Sequence, residues 1–198
     1  PEWIGKLTAF CEQLRKSSQN GNHSPQPSYL TFRTIYEVDT FLVELMERQT
    51  LTPGTKEVLC LHWNHFWIPL FLSKQVYAQM KNIVEYFDVY ALGRGNTPID
   101  AWCESFWKKY GMHIRRGCDI AGTADFVIYR DLVVQVFYPR DLVEEIDHVF
   151  AKSKAITDID LNAFFNQVFE RQTCIPVTIT ENAELAEQLR KQTREYFI

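Results

Sequence analysis

Paired cysteines, a basic excess and long apolar runs are all missing from this sequence. Its five cysteines (Cys11, Cys60, Cys103, Cys118 and Cys174) are odd in number and widely scattered, with no C-x-x-C pair. A disulfide framework or a zinc ribbon requires close, paired spacing, so reduced thiols in a cytoplasmic protein are expected. Lys and Arg number 21 against 25 Asp and Glu, a net charge of −4. Phosphate contacts dominate non-specific DNA affinity and show as a basic surface, so this chain is not expected to grip DNA itself. No run approaches the roughly 20 apolar residues of a membrane span, and no basic-then-apolar leader opens the chain. No membrane partner is expected. The patterns G-x-S-x-G, H-E-x-x-H and G-x-x-x-x-G-K-[ST] are absent as well, so no catalytic residue, cofactor or metal is assigned.

What is present is material for a core. Of 198 residues, 46% are hydrophobic and 14% aromatic. Pro1 at the start is expected for a domain cut from a longer protein. Trp3, Leu7, Phe10 and Leu14 recur at helical spacing and predict a helix over residues 1–17. Its apolar stripe needs a partner surface and is expected to contribute to self-association, with folding back onto its own domain as the alternative. Residues 18–28 are polar and Pro-bearing, a linker. The remainder, 29–198, alternates helix and strand signals. Helices are expected over Thr34–Arg48, Leu70–Phe87, Pro98–Tyr110, Leu142–Ala151, Leu161–Phe169 and Ala183–Phe197. Strands are expected at Glu57–Trp63, Val89–Leu92, Met112–Arg115 and Pro176–Thr180, with a hairpin of Phe126–Tyr129 and Val133–Tyr138 turning at Arg130-Asp131. This pattern predicts an α/β fold: a layered, mixed, mainly parallel sheet with helices on both faces.

The loop G-R-G-N-T-P (residues 93–98) invites a dinucleotide reading. It matches two glycines of G-x-G-x-x-G, but Pro98 stands where the third, which permits close helix–strand packing, belongs. Helix entry explains every residue instead: Thr97 as N-cap, Pro98 at the first helical position, and Asp100 completing a T-x-x-D capping box. His62 and His65 lack a third metal ligand at suitable spacing. In an open α/β sheet, ligands bind beyond the carboxyl ends of the strands. That rule selects Asn64 and His65, Arg94 and Asn96, and Arg115 as a ligand site, with Trp63, Trp67 and Trp102 as apolar walls. The adjacent Arg115 and Arg116 read first as a solvated face, with a small anionic or polyol ligand at the crevice as the second reading.

The order of motifs N64-H65, V-Y-A-L-G-R-G-N-T-P, I-R-R-G, A-D-F-V-I-Y-R-D with V-V-Q-V-F-Y-P, and T-E-N-A-E-L-A-E-Q-L-R resembles a known family. It is similar to the phospholipase-D-like effector-sensing domain of TrmB-type transcription regulators, over roughly Phe32–Phe197. The resemblance implies a phospholipase-D-like domain that senses an unidentified small-molecule effector and forms a homodimer. DNA is then contacted only through a winged-helix domain not present in this chain. Catalytic phospholipase D relatives carry H-x-K-x-x-x-x-D, with histidine as nucleophile and lysine on the phosphate. Here Ala124 and Phe126 stand at those two positions and only Asp131, at the hairpin turn, persists. Neither side chain attacks or binds phosphate, so the resemblance implies a degenerate, non-catalytic member. An enzyme acting on a nucleotide or phosphoester through an unrecognised site, and a protein–protein interaction module, are the competing readings.

Overall fold

The computed structural model describes residues 27–48, 56–120 and 122–198, together with residues 5 and 8. The expected helix over residues 1–17, with the apolar stripe assigned to self-association, and nearly all of the linker lie outside this set. Among the described residues a seven-stranded sheet runs in the order β1-β7-β6-β5-β2-β3-β4. The strands are β1 (Ser28–Phe32), β2 (Glu57–Trp63), β3 (Phe87–Gly93), β4 (His113–Arg115), β5 (Asp125–Tyr129), β6 (Leu132–Val136) and β7 (Ile175–Glu181). The helices are α1 (Ile35–Arg48), α2 (Lys74–Tyr86), α3 (Pro98–Lys109), α4 (Arg140–Lys152), α5 (Leu161–Phe164) and α6 (Ala183–Glu195). The helix expected over Leu161–Phe169 is α only to Phe164 and continues as a π turn over Phe165–Phe169. No helix among the described residues is long and apolar enough to cross a membrane.

The α/β class and the helices on both faces agree with the sequence reading, but the strand directions do not. Only the β2–β3 and β3–β4 pairs are parallel. The pairs β1–β7, β2–β5, β5–β6 and β6–β7 are antiparallel. The hairpin inverts the chain beside β2, and every strand beyond it then alternates in direction. Helix–strand alternation in sequence does not encode that inversion. As a consequence, the sheet edge holding the carboxyl ends of β2 and β6 also holds the start of β5.

Both faces of the sheet are covered, which is why β2 reads as an unbroken apolar run. Leu59, Leu61 and Trp63 enter the larger core with α1, α2, α3 and α4, while Cys60 clusters with Ile128 and Val133 against Ala186 of α6. His62 also faces α6, where its Nε2 lies 2.7 Å from Thr193 Oγ1. Burial, with Arg94 nearby, pushes the His62 imidazole down to about 4. At the hairpin turn, Arg130 adopts a left-handed backbone with φ 46°.

Candidate functional site

Helix α3 begins as its sequence predicts. Thr97 Oγ1 accepts from the Asp100 amide at 3.2 Å, and Asp100 accepts from the Thr97 amide at 3.0 Å. Asp100 does more than cap. It is fully buried, and it also meets His65 Nδ1 at 3.0 Å and the Phe66 amide at 3.4 Å. Burial alone would raise its carboxyl, but the bonds to His65 and Thr97 outweigh that and hold it below the usual range. His65 Nε2 in turn meets Asp147 of α4 at 3.0 Å. Burial disfavours the charged imidazole, yet the two carboxylates prevail and its pKa is raised. The ring thus ties the β2 exit to both α3 and α4.

The glycine-rich loop is committed to the protein as well. The Arg94 amide donates to Trp63 O at 3.0 Å and the Gly95 amide to Asn64 O at 2.7 Å. These are the groups that would have to face a phosphate. A Cβ on Gly95 would collide with His65 and Asp100, so glycine is required by close packing here. The loop turns the chain.

Beside this junction a cleft of about 80 Å³ opens at the sheet edge described above. Its walls are mostly apolar, including Ile35, Phe71, Ile146 and Phe164, and its polar groups are Asp39, Asn64, His65, Asp125, Tyr138 and Asp147. Asp125 accepts from the Asn64 amide at 2.9 Å and lies 3.9 Å from Arg94 Nη1. Burial nevertheless pushes its carboxyl up to about 7. Asp39 is only 5% exposed, and among the described residues its Oδ1 has no hydrogen-bond partner. Burial, and then the charge of Asp125, raise its pKa well above the ordinary value. Burial and the same two carboxyls keep the Tyr138 phenol protonated.

Of the residues selected from sequence, Asn64 and His65 line the cleft and the others do not. Arg94 stands behind it, donating to Asn64 Oδ1 at 2.8 Å, Ala124 O at 3.1 Å and Ile120 O at 3.2 Å. Asn96 is held from the far side by Arg116. Arg115 ends the edge strand β4, its guanidinium 5.9 Å from the centre of the Phe197 ring. Trp67 lines the cleft, stacked on a buried Trp63, whereas Trp102 stacks on Phe106. Sequence reasoning missed Asp39, Asp125 and Tyr138. A signal existed for Asp39: it falls four residues after Ile35 and three before Leu42, on the buried stripe of α1. Strand alternation likewise places Asp125 on the face of Val127 and Tyr129, both in the core. Phe126 lies on the other face, its ring 5.9 Å from that of His62.

No family model and no curated protein matches the chain. Among solved structures it is similar to TrmBL2, an archaeal chromatin protein, at 13% identity and a TM-score of 0.45; the match covers 99% of this chain and 62% of the length of TrmBL2. It is also similar to Nuc, a phospholipase D family member from Salmonella typhimurium, at 9% identity and a TM-score of 0.49, over 86% of this chain and 93% of Nuc. NucT from Helicobacter pylori matches at 9% identity and a TM-score of 0.44, over 86% of this chain and 97% of NucT. At these values the likeness transfers no site and no activity to this chain.

Proposed function

We propose that this chain is a non-catalytic regulatory domain that senses a small molecule in the cleft between Asp39 and Asp125. The observation that carries this reading is the buried Asp39 carboxyl, whose Oδ1 has no partner among the described residues, in a mostly apolar cleft. Buried polar groups are nearly always paired, and an orphan is costly; a pocket with apolar walls and a few placed polar groups is the form of a ligand site. Among the described residues the lining contains no Ser, Thr, Cys, Lys or Arg. Its one phenol, Tyr138, is held protonated, and both ring nitrogens of its one imidazole, His65, are engaged by Asp100 and Asp147. Ala124 and Phe126, at the positions where the resemblance expects nucleophile and lysine, support the same reading. On it, DNA is contacted through a domain outside this chain, and two copies pair through the stripe of Trp3, Leu7, Phe10 and Leu14.

A thermal-shift screen of metabolites tests this. A ligand binding only the folded state raises the melting temperature by mass action, and the shift is expected to vanish in Ile146→Trp, which fills the cleft. Hits that persist in that variant would place the site elsewhere. Turnover of bis(p-nitrophenyl) phosphate that disappears on a point change in the cleft would overturn the non-catalytic reading.

A further inference from the structure

Asp39 from α1 and Asp125 from β5 face one cleft with few donors to meet them. Asp125 has the Asn64 amide and a guanidinium at 3.9 Å that is also bonded to Asn64 and to two carbonyls. Among the described residues Asp39 Oδ1 has no partner. An ionised carboxyl without compensation is among the costliest groups to bury. In the unliganded chain burial therefore pushes both carboxyls toward the protonated form, and a bound cation takes the place of that proton. The group that relieves such a carboxyl best is a donor carrying positive charge, since charge-assisted hydrogen bonds are the strong ones. The walls determine the rest of the ligand. Ile35, Phe71, Ile146 and Phe164 offer no hydrogen bonds, so the body attached to the cation is hydrocarbon. At about 80 Å³ the space is smaller than the ~150 Å³ cavity that holds benzene, so the body is a short or branched chain.

Two other ligand chemistries fit less well. The anion or polyol that is the second reading of Arg115 and Arg116 loses its support, because neither guanidinium lines the cleft. A hard divalent cation takes six or more oxygens, and among the described residues no group of three or more His, Cys, Asp or Glu is arranged to hold a metal ion.

We infer that the cleft takes a small alkylammonium ligand, its nitrogen between Asp39 and Asp125 and its hydrocarbon against Ile35, Phe71, Ile146 and Phe164. The inference rests on the sensing reading for the place of the ligand and adds its chemical class.

The test titrates the full chain at pH 7.5 with three small compounds of matched shape, isopropylamine, isopropanol and acetate, followed by NMR of the Ile35 and Ile146 methyls. The amine is expected to saturate, with the alcohol and the acid at least tenfold weaker. Asp39→Asn is expected to weaken the amine at least tenfold and to close its gap to the alcohol. Should Asp39→Asn fail to fold, Asp125→Asn makes the same test, since its amide oxygen still accepts from Asn64. Equal or tighter binding of alcohol or acid, amine binding indifferent to the carboxyl variants, or no binding by any of the three would each overturn the amine class. The sensing reading has its own test: a non-amine hit in the metabolite screen that Ile146→Trp blocks would keep the cleft while removing the amine. No blockable hit of any kind would remove both.

Discussion

Asp39 and Asp100 are both buried aspartates on helices that pack against the same sheet, and their surroundings are opposite. Asp100 accepts from His65, Phe66 and Thr97, and its carboxyl is held below the usual range. Asp39 Oδ1 accepts from nothing described, and its carboxyl is pushed well above that range. The first is a structural tie with its hydrogen bonds complete. The second is a defect by folding criteria, and such defects concentrate where a protein binds something. The difference separates the two sides of the Asn64–Trp67 turn: one side holds the fold together and the other is left open.

The largest expected effect comes from breaking the tie. Asp100→Ala removes one half of the α3 capping box, leaving the Thr97 hydroxyl on the residue-100 amide. It also strands His65 and two backbone amides, a loss of roughly 3–5 kcal/mol by the cost of breaking a buried pair. At roughly 2–4 °C per kcal/mol for a chain of this size, the midpoint should fall by roughly 6–20 °C. A midpoint within 2 °C of the parent (~0.5–1 kcal/mol at that slope) would contradict the role given to Asp100.

The pH dependence of stability comes next. Asp125 moves from 3.8 to about 7 on folding. Between these values the folded state holds a proton that the unfolded state has released, so stability falls as pH rises through that window, by on the order of 4 kcal/mol in all. His65, with a raised pKa, adds in the same direction: its contribution is complete below 6.5 and lost as pH rises through its folded value. Asp100 has the opposite sign, its stabilisation being present above 3.8 and lost as pH falls. Asp39, whose carboxyl is also raised, adds a fall of the same sign. Urea denaturation across pH 4–8 should show the fall, and Asp125→Asn should remove only the share that belongs to Asp125. An unchanged slope in that variant would mean that Asp125 ionises normally.

The smallest expected effect has the opposite direction. Asp39→Asn keeps the shape and removes the ionisable group, so it should stabilise the unliganded chain by about 1–2 kcal/mol and raise the midpoint by a few degrees, more at pH 8 than at pH 5. A lowered midpoint would show that Asp39 already has a partner in the folded protein.

How much of this was legible in the sequence follows from the range of each interaction. The α3 entry was fully legible, because Thr97, Pro98 and Asp100 settle it within four residues. The class of fold and nearly all of the strands and helices followed from local periodicity, which the two-sided burial of β2 preserved. Strand β1 was not legible: SYLTF is short, lies at the sheet edge with Tyr29 exposed, and follows a polar, Pro-bearing stretch. Sheet direction was not legible either, since the inversion at the hairpin is a tertiary choice. The parallel β2–β3–β4 end does bring Asn64 and Arg94 together. The cleft, however, lies on the antiparallel side, where the start of β5 and the chain beyond β6 bring Asp125 and Tyr138 beside Asn64. Arg94 was rightly singled out as polar at a strand exit, but the carbonyls of Ile120 and Ala124, distant in sequence, decide that it points inward.

The opposition between the two aspartates is measured most directly by carbon-13 NMR titration of the side-chain carboxyls in the unliganded chain. Asp39 is expected to titrate well above the ordinary aspartate range, and Asp100 below it. If both carboxyls ionise in the ordinary range, Asp39 is neither orphaned nor held ready for a cation, and the cleft loses its claim to be the site.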